Sequence, residues 1–252
     1  MKHTTILLSF LIIVLLSTSL YSQAEMLILY NQRPPYLIGD KEGNVSGLTA
    51  SVADFAFRKA GIPFRWLEIP SQRQLMLLRD NKDNIAAVGW FKNSSREAFC
   101  KFSIPLYKDK KIVLLAKAGN QKVTQHKSLE SLFLDKELTL LVKDGYSYGK
   151  TLDEKIKHSS IVKIATTVEN YLMIKIIDSN RADCMFIAPE EANYVIKYVG
   201  LNIDDFQQIT FENMPDGEFR YILFSKRVDD KTISIINKYI LEYKNLHQEL
   251  TN

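Results

Sequence analysis

One arginine follows a run of small polar residues and is a candidate ion-binding group. The run is Asn93-Ser94-Ser95, Arg96 comes next, and Trp90 and Phe91 precede it. A guanidinium presents a planar fork of donors that fits both oxygens of a carboxylate, and it keeps its charge across the physiological pH range. Arg96 is therefore a candidate for the fixed cation of a binding pocket. The alternative is a solvated loop arginine.

A second arginine lies in the sequence Ser71-Gln72-Arg73-Gln74, which has the form of a capping box. This pattern predicts that Arg73 lies in the first turn of a helix, where free backbone N–H groups already attract anions. Two arginines in one cleft would suit a ligand with more than one anionic group. The alternative is that Arg73 pairs with Asp80 or Glu68 outside any cleft.

The elements that would position these residues follow an alternating order. Short apolar runs such as EMLILY and FRWLEI read as strands, and segments with apolar residues at helical spacing lie between them. Strands that alternate with helices indicate parallel βαβ units. The alternation continues through two successive stretches without a flexible linker between them. The pattern therefore predicts two α/β lobes joined by a hinge, with a cleft between them.

Composition excludes several classes of function. The chain has 33 Lys and Arg against 29 Asp and Glu, a formal net charge of +4, and the only dense basic block is Lys108-Asp109-Lys110-Lys111. This mild, dispersed charge does not indicate a nucleic-acid-binding protein. The four histidines are scattered without metal-ligand spacing, so we expect no metal, no cofactor and no catalytic residues. Cys100 and Cys184 each lie in an apolar stretch and are expected to be buried free thiols rather than a disulfide.

The first residues have the pattern of an export signal. Ile6–Leu16 is an apolar run behind a short basic start, and Ser22-Gln23-Ala24 has the small-x-small form of a cleavage site. The run is shorter than the ~20 residues of a transmembrane helix. We therefore predict a cleaved signal peptide over residues 1–24 and a periplasmic mature protein, with an uncleaved membrane anchor as the alternative.

At the level of ordered motifs, the sequence resembles the bacterial extracellular solute-binding proteins of family 3, the periplasmic receptors of amino-acid-type ABC transporters. The resemblance covers nearly the whole mature chain, and it depends on the order and spacing of several motifs. In the first half these are Pro34-Pro35-Tyr36, GNVSGL at 43–48, and Arg96 followed by FSIPLY at 102–107. In the second half they are KDGYS at 143–147 and NRAD at 180–183.

The resemblance implies a type II periplasmic binding protein fold, with each lobe a mostly parallel sheet flanked by helices and the ligand cleft between the lobes. Lobe 1 would comprise residues 25–107 and 219–252, and lobe 2 residues 108–218. Hinge crossings would lie near 108–110 and 217–219. Members of the family close their two lobes around one small solute.

The resemblance also implies a set of ligand-binding residues. The arginine that matches Arg96 receives the carboxylate of the ligand in the family. Trp90 and Tyr36 are expected to form an apolar wall, whereas core packing is the preferred interpretation for Phe91. In lobe 2, the residues Gly145, Tyr146 and Ser147 are expected to begin a helix and to present backbone N–H groups to the ligand, with simple helix capping by Ser147 as the alternative.

One position departs from the pattern of amino-acid receptors. These proteins hold the ligand's amino group with an aspartate, and Ala188 occupies that position here. Glu190 is the predicted ligand-binding substitute, and Glu191 is a second candidate. Both could instead stabilise the first turn of the following helix. The solute class is therefore a small carboxylate-bearing compound, either an amino acid or a related compound, and the departure argues against a standard α-amino acid.

The function implied by the resemblance is that of a monomeric receptor that delivers a small carboxylate-bearing solute to an ABC transporter permease in the inner membrane. Two alternatives stay open at this point. One is a ligand-sensing protein that reports to a membrane signalling receptor. The other is an enzyme on the same fold similar to cyclohexadienyl dehydratase, in which Glu190 or Glu191 would act as an acid.

Overall fold

The computed structural model describes residues 25–248, which form two lobes built on separate β-sheets. The predicted signal peptide, residues 1–24, lies outside these residues. The strands of lobe 1 are β1 (Met26–Tyr30), β2 (Ile38–Gly39), β3 (Val45–Ser46), β4 (Phe64–Glu68), β5 (Ile85–Phe91), β6 (Cys100–Phe102), β7 (Tyr107–Lys108) and β13 (Phe219–Ser225). Its helices are α1 (Ala50–Lys59), α2 (Ser71–Asp80), α3 (Ser94–Glu97) and α9 (Asp230–Gln248).

The main sheet of lobe 1 has the strand order β4-β1-β5-β13-β6, and β7 also pairs with β13. Strand β1 is parallel to β4 and β5, whereas β13 is antiparallel to β5, β6 and β7. The centre of β5 is continuously apolar because both faces of the sheet are covered. Apolar residues of α1 and α9 pack on one face, and those of α2 pack on the other.

Lobe 2 has a five-stranded sheet. Its strands are β8 (Val113–Lys117), β9 (Thr139–Lys143), β10 (Val162–Thr166), β11 (Cys184–Ile187) and β12 (Phe206–Ile209), in the order β10-β9-β11-β8-β12. Its helices are α4 (Gln121–Thr124), α5 (Leu129–Leu134), α6 (Lys150–His158), α7 (Asn170–Asp178) and α8 (Pro189–Tyr198), and a 3-10 helix spans Ile203–Asp205. Helices α5 and α6 cover one face, and α7 and α8 cover the other.

The expected two-lobed α/β architecture is confirmed. In each sheet the three strands on one side are parallel, as the strand–helix alternation predicts, and the strands on the other side pair antiparallel. The two cysteines are free and buried, Cys100 in lobe 1 and Cys184 in lobe 2, as the sequence indicates. Burial raises the pKa of the Cys100 thiol to about 12.

Arg73 lies in the first turn of α2, as predicted, but two details of the predicted helix starts are wrong. Helix α2 begins at Ser71 with Pro70 as its N-cap and no side-chain cap, so the capping box does not form. The side chain of Gln74 instead forms hydrogen bonds with Asn31 and Trp90 at the cleft. In lobe 2, α6 begins at Lys150 rather than at Gly145, because Gly149 takes the N-cap position with φ +91°.

A β-bulge at Gly89 shapes the cleft end of β5. Along this strand Val88 pairs with Ile222 and Trp90 pairs with Tyr221, so Gly89 is the extra residue. Its φ of +89° is a conformation that favours glycine. The bulge shifts the alternation of side chains at the strand end that carries Trp90.

Within residues 25–248, no helix combines the length and the apolar character that crossing a membrane requires. The same residues contain no group of three or more His, Cys, Asp or Glu side chains arranged to hold a metal ion.

Candidate functional site

The two lobes meet around a cavity at the carboxyl ends of β1 and β5, which we call the central cavity. The cavity has a volume of about 20 Å³, which is room for about one water molecule and far below the roughly 300–1,000 Å³ typical of small-molecule sites. A solute therefore requires the two lobes to move apart around this cavity. The position of the cavity agrees with the usual ligand position in open α/β sheets. Lobe 1 lines it with Arg33, Trp90, Phe91, Arg96 and Arg220, and lobe 2 lines it with Tyr146 and Ser147.

Arg96 is placed by the short helix α3 and is 4% exposed. Asn93 caps this helix, because its side-chain oxygen accepts a hydrogen bond from the Arg96 N–H at 3.0 Å. The guanidinium donates to the carbonyl of Phe91 in lobe 1 at 2.7 Å and to the carbonyl of Gly145 in lobe 2 at 3.1 Å. It also lies over the ring of Trp90, with 4.7 Å between the guanidinium carbon and the ring centroid. Arg96 therefore connects the two lobes through neutral groups.

The charge of Arg96 is not balanced by a contact with an acid. Among residues 25–248, no carboxylate oxygen lies within 4.0 Å of its guanidinium. Burial lowers the pKa of Arg96 to about 10, although the charge of Asp153 acts in the opposite direction. The side chain therefore stays protonated at neutral pH. A buried cation whose partners are only carbonyl oxygens favours the approach of an anion.

A second arginine of the cavity, Arg33, is paired with an acid across the cleft. It follows β1, and its Nε and Nη2 donate to the two oxygens of Glu191 in lobe 2 at 3.1 and 3.0 Å. Glu191 is fully buried and also accepts a hydrogen bond from Asn170 at 2.7 Å. Burial opposes the charge on Arg33, but Glu191 outweighs this and raises the pKa of the guanidinium. This bidentate pair joins the lobes at the inner end of the cavity.

The third arginine, Arg220 on β13, is also paired. Its Nε donates to Asp109 at 2.7 Å, its Nη2 donates to the other Asp109 oxygen, and its Nη1 donates to the carbonyl of Gly89 at 2.9 Å. The bulge at Gly89 makes that carbonyl available. The rings of Tyr36 and Phe91 lie 3.8 and 4.7 Å from the guanidinium carbon. Asp109 precedes β8, so this pair fixes a segment that connects the two sheets.

Polar side chains hold the aromatic residues of the cavity in place. The indole N–H of Trp90 donates to Gln74 at 3.0 Å, and Gln74 donates to Asn31 at 3.3 Å. Asn31 in turn donates to Glu169 of lobe 2 at 2.7 Å, and Glu169 is paired with Lys143. This chain of hydrogen bonds fixes the face of Trp90 on which Arg96 lies.

The predicted site residues divide into two groups by position. Arg96, Trp90, Tyr146 and Ser147 line the central cavity, and Gly145 lines an outer groove on the other side of Arg96. In that turn it is the carbonyl of Gly145, rather than an N–H group, that faces Arg96. The expectation that Phe91 packs in the core is wrong, because Phe91 is half-buried and lines the cavity.

The other predicted residues lie away from the cavity surface. Arg73 is exposed on α2 and, within the described chain, forms no salt bridge with Asp80, Glu68 or any other acid. Tyr36 is fully buried beneath Arg220. One oxygen of Glu190 accepts hydrogen bonds from the Tyr107 hydroxyl and the Lys110 N–H at 3.0 and 2.8 Å, near the chain crossing.

Sequence reasoning missed Arg33, Arg220 and Asp109. Arg33 could have been identified from the sequence, because it is a charged residue three positions after a buried strand, near the usual ligand position in an open α/β pattern. Arg220 is a charged residue within the otherwise apolar strand FRYILFS. Its partner lies 111 positions away in sequence, so no local pattern could identify the pair.

The sequence matches the model of one protein family. The model for bacterial extracellular solute-binding proteins, family 3, matches residues 26–248. The chain belongs to this family. The comparison with curated proteins finds no match.

Solved structures show the same fold as this solute-binding protein. A Salmonella typhimurium periplasmic binding protein with high arginine specificity has a TM-score of 0.68 and 17% identity, with 88% of this chain and 93% of that chain covered. Holo ArgBP from T. maritima has a TM-score of 0.67 and 19% identity, with 90% and 96% covered. The ancestral amino acid-binding protein AncCDT-1, a precursor of cyclohexadienyl dehydratase, has a TM-score of 0.68 and 18% identity, with 88% and 89% covered.

Proposed function

We propose that this chain is the periplasmic receptor of an ABC transporter and that it binds a small carboxylate-bearing solute between its lobes. The observation that carries the proposal is Arg96, a buried cation at the central cavity whose guanidinium, among residues 25–248, donates hydrogen bonds only to the carbonyls of Phe91 and Gly145. A ligand carboxylate would match the guanidinium fork and balance its charge. Arg96 donates hydrogen bonds to both lobes, so a ligand bound to its guanidinium would lie between the lobes and affect their closure.

Further contacts support closure of the lobes as the step that follows binding. The lobes are joined by Arg33 with Glu191, by Asn31 with Glu169 and by Gln72 with Asp144. Hinged closure around a solute would form such contacts together. In this proposal the chain crossings near 108–110 and 217–219 are the hinge, and the closed monomer is the form that a membrane permease recognises.

The acidic side chains support binding rather than catalysis. A general acid must reach the reacting ligand and be free to exchange a proton. Both oxygens of Glu191 accept hydrogen bonds from Arg33. One oxygen of Glu190 accepts from Tyr107 and Lys110 and the other has no partner, but Glu190 lines neither the central cavity nor the cavity beside it. The proposal therefore assigns no catalytic residue to the cleft.

A thermal-shift screen of the protein without residues 1–24 tests this function. Amino acids, oxo and hydroxy acids, dicarboxylates and short peptides are added one at a time. A ligand at a hundred times its Kd should stabilise the protein by ~2.7 kcal/mol. Small-angle scattering with the best ligand should then show a decrease in the radius of gyration. A panel that leaves both the melting temperature and the radius unchanged would count against the proposal.

A further inference from the structure

Two acids that contact arginines of the central cavity are already neutralised by these arginines. Glu191 is held in a bidentate pair by Arg33 and also receives Asn170, and Asp109 is held in a bidentate pair by Arg220. An ammonium group needs an acceptor that balances its charge when it is buried. The carboxylate of Glu191, which could otherwise bind the ammonium group, is already paired with the guanidinium of Arg33.

The backbone acceptors at the end of β5 are engaged in the same way. The carbonyl of Gly89 accepts from Arg220 at 2.9 Å, and the carbonyl of Phe91 accepts from Arg96 at 2.7 Å. A ligand ammonium near these carbonyls would also lie beside two guanidinium groups. Like charges in a site of low polarity repel each other strongly. The strand end therefore disfavours a cationic group on the ligand.

Among the remaining acids, Glu190 keeps one buried oxygen without a hydrogen-bond partner, but none of these acids lines the central cavity. Glu169 is paired with Lys143 and bonded by Asn31. Glu190 lines neither the central cavity nor the cavity beside it, and its engaged oxygen faces Tyr107 and Lys110. Asp153 lies in the outer groove on the far side of Arg96, where Ser147 and the Tyr148 N–H donate to it.

The charged groups at the central cavity therefore have a net charge of +1. Three guanidinium groups line the cavity, and Glu191 and Asp109 balance two of them, so three positive charges against two negative charges leave +1. The group that remains is Arg96. A monoanion would neutralise the cavity, whereas an α-amino acid zwitterion brings no net charge and adds an ammonium.

We propose that the solute is a small monocarboxylic acid without an ammonium group, and that Arg33 takes the place of the ligand's amine opposite Glu191. This inference rests on the proposed function, because it names the chemical class of solute for the same site. Arg96 binds the carboxylate. The rings of Trp90 and Tyr146, whose centroids lie 6.0 Å apart in an edge-to-face arrangement, contact the apolar part of the acid.

Matched sets of acids test the proposal on the unaltered binding protein. Each set contains a 2-oxo acid, its 2-hydroxy acid and its amino acid with the same side chain. The sets are pyruvate, lactate and alanine, the corresponding compounds with an isobutyl side chain, and phenylpyruvate, phenyllactate and phenylalanine. Titration calorimetry gives each affinity.

In the set that binds most tightly, the oxo or hydroxy acid should bind at least tenfold more tightly than the amino acid. An amino acid that binds as tightly as its oxo and hydroxy counterparts would overturn this proposal and leave the proposed function standing. If none of the nine compounds binds while a dicarboxylate or peptide of the screen does, this proposal is wrong and the proposed function stands.

An Arg33→Gln variant tests the role of the arginine directly. It frees the carboxylate of Glu191, so the affinity for the amino acid should rise at least tenfold relative to the oxo acid. The double variant Arg33→Gln, Glu191→Gln removes the carboxylate as well and should not gain this preference. Arg58→Gln, which removes an arginine paired with Asp54 on the surface of α1, is the matched control and should leave the ranking unchanged.

A folded Arg33→Gln protein with the original ranking would contradict the proposal. If Arg33→Gln does not fold, the relative affinities of the unaltered protein for the oxo, hydroxy and amino acids decide whether the proposal stands.

Discussion

The inner and outer ends of the cleft use the same side chain in different ways. At the inner end, Arg33 and Arg220 are buried in bidentate pairs with Glu191 and Asp109. At the outer end, Arg96 is also buried, more so than Arg33, but its partners are two carbonyl oxygens and the face of Trp90. Burial alone therefore does not separate these three arginines. They differ in whether a carboxylate of the protein pairs with the guanidinium, and this difference is the basis for proposing Arg96 as the ligand-binding arginine.

The difference has a physical cause in the balance of desolvation and pairing. A buried charge is stabilised by an acid at hydrogen-bond distance, and the loss of one partner leaves the other uncompensated. For Arg33 and Arg220, the nearby acid outweighs burial and the pKa is raised. For Arg96, burial dominates and the pKa is lowered to about 10. Arg96 is therefore the arginine that gains most from an external anion.

The largest expected effect on stability is at the inner end. Arg220→Gln leaves Asp109 buried without its cation, so the free energy of unfolding should fall by about 3–5 kcal/mol. Arg96→Gln removes no ion pair and should change that free energy much less in the absence of ligand. Urea denaturation of both variants measures the difference. Equal destabilisation by the two changes would show that the distinction between paired and unpaired arginines is wrong.

A smaller effect is expected at the aromatic support of the outer end. Trp90→Leu removes the ring face on which Arg96 lies, so ligand affinity should fall by ~0.5–2 kcal/mol, or roughly 2- to 30-fold. Trp66→Leu is the matched control, because Trp66 packs against Tyr30 and Phe64 on the other side of lobe 1. It should lower the melting temperature without changing affinity. Calorimetric titration would contradict the account if Trp90→Leu bound the ligand like the unaltered protein.

The smallest effect is expected for a paired arginine on the surface. Arg58 and Asp54 form a pair four residues apart on α1, with 62% of the Arg58 side chain exposed. Solvent weakens such pairs, so Arg58→Gln should change the free energy of unfolding by only ~0.3–0.5 kcal/mol. Comparison of its denaturation midpoint with that of Arg220→Gln isolates the effect of burial. A loss as large as that of Arg220→Gln would show that pairing matters irrespective of burial.

Much of the fold could be predicted because its signals are local. The buried strand Cys184–Ile187, the proline at the start of α8 and the cap of α9 by Asp229 all follow from nearby residues, and the structure contains each of them. The motif around Arg96 also has a local signal, since short polar residues precede the arginine and an aromatic strand end lies before them. The side chain is brought to the cavity by α3.

The paired end of the cleft could not be predicted in the same way. Arg33 and Glu191 are separated by 158 positions, and Arg220 and Asp109 by 111. Only the return of β13 to lobe 1 and the approach of the two lobes bring these groups together. The start of α6 was misjudged for a different reason. Gly145 forms a turn whose carbonyl bonds to Arg96, and the helix begins only after Gly149.

Titration of an Arg96→Ala variant with the best acid of the screen tests the central claim most directly. Arg79→Ala is the matched control, because Arg79 is exposed, lies over the ring of Phe99 at 4.6 Å and borders the outer groove without lining the central cavity. Loss of one partner of a buried charge pair costs ~2–5 kcal/mol, so Arg96→Ala should weaken binding roughly thirty- to several-thousand-fold. Arg79→Ala should bind nearly as well as the unaltered protein, and both variants should keep their fold. Unchanged affinity in a folded Arg96→Ala protein would show that Arg96 does not bind the solute.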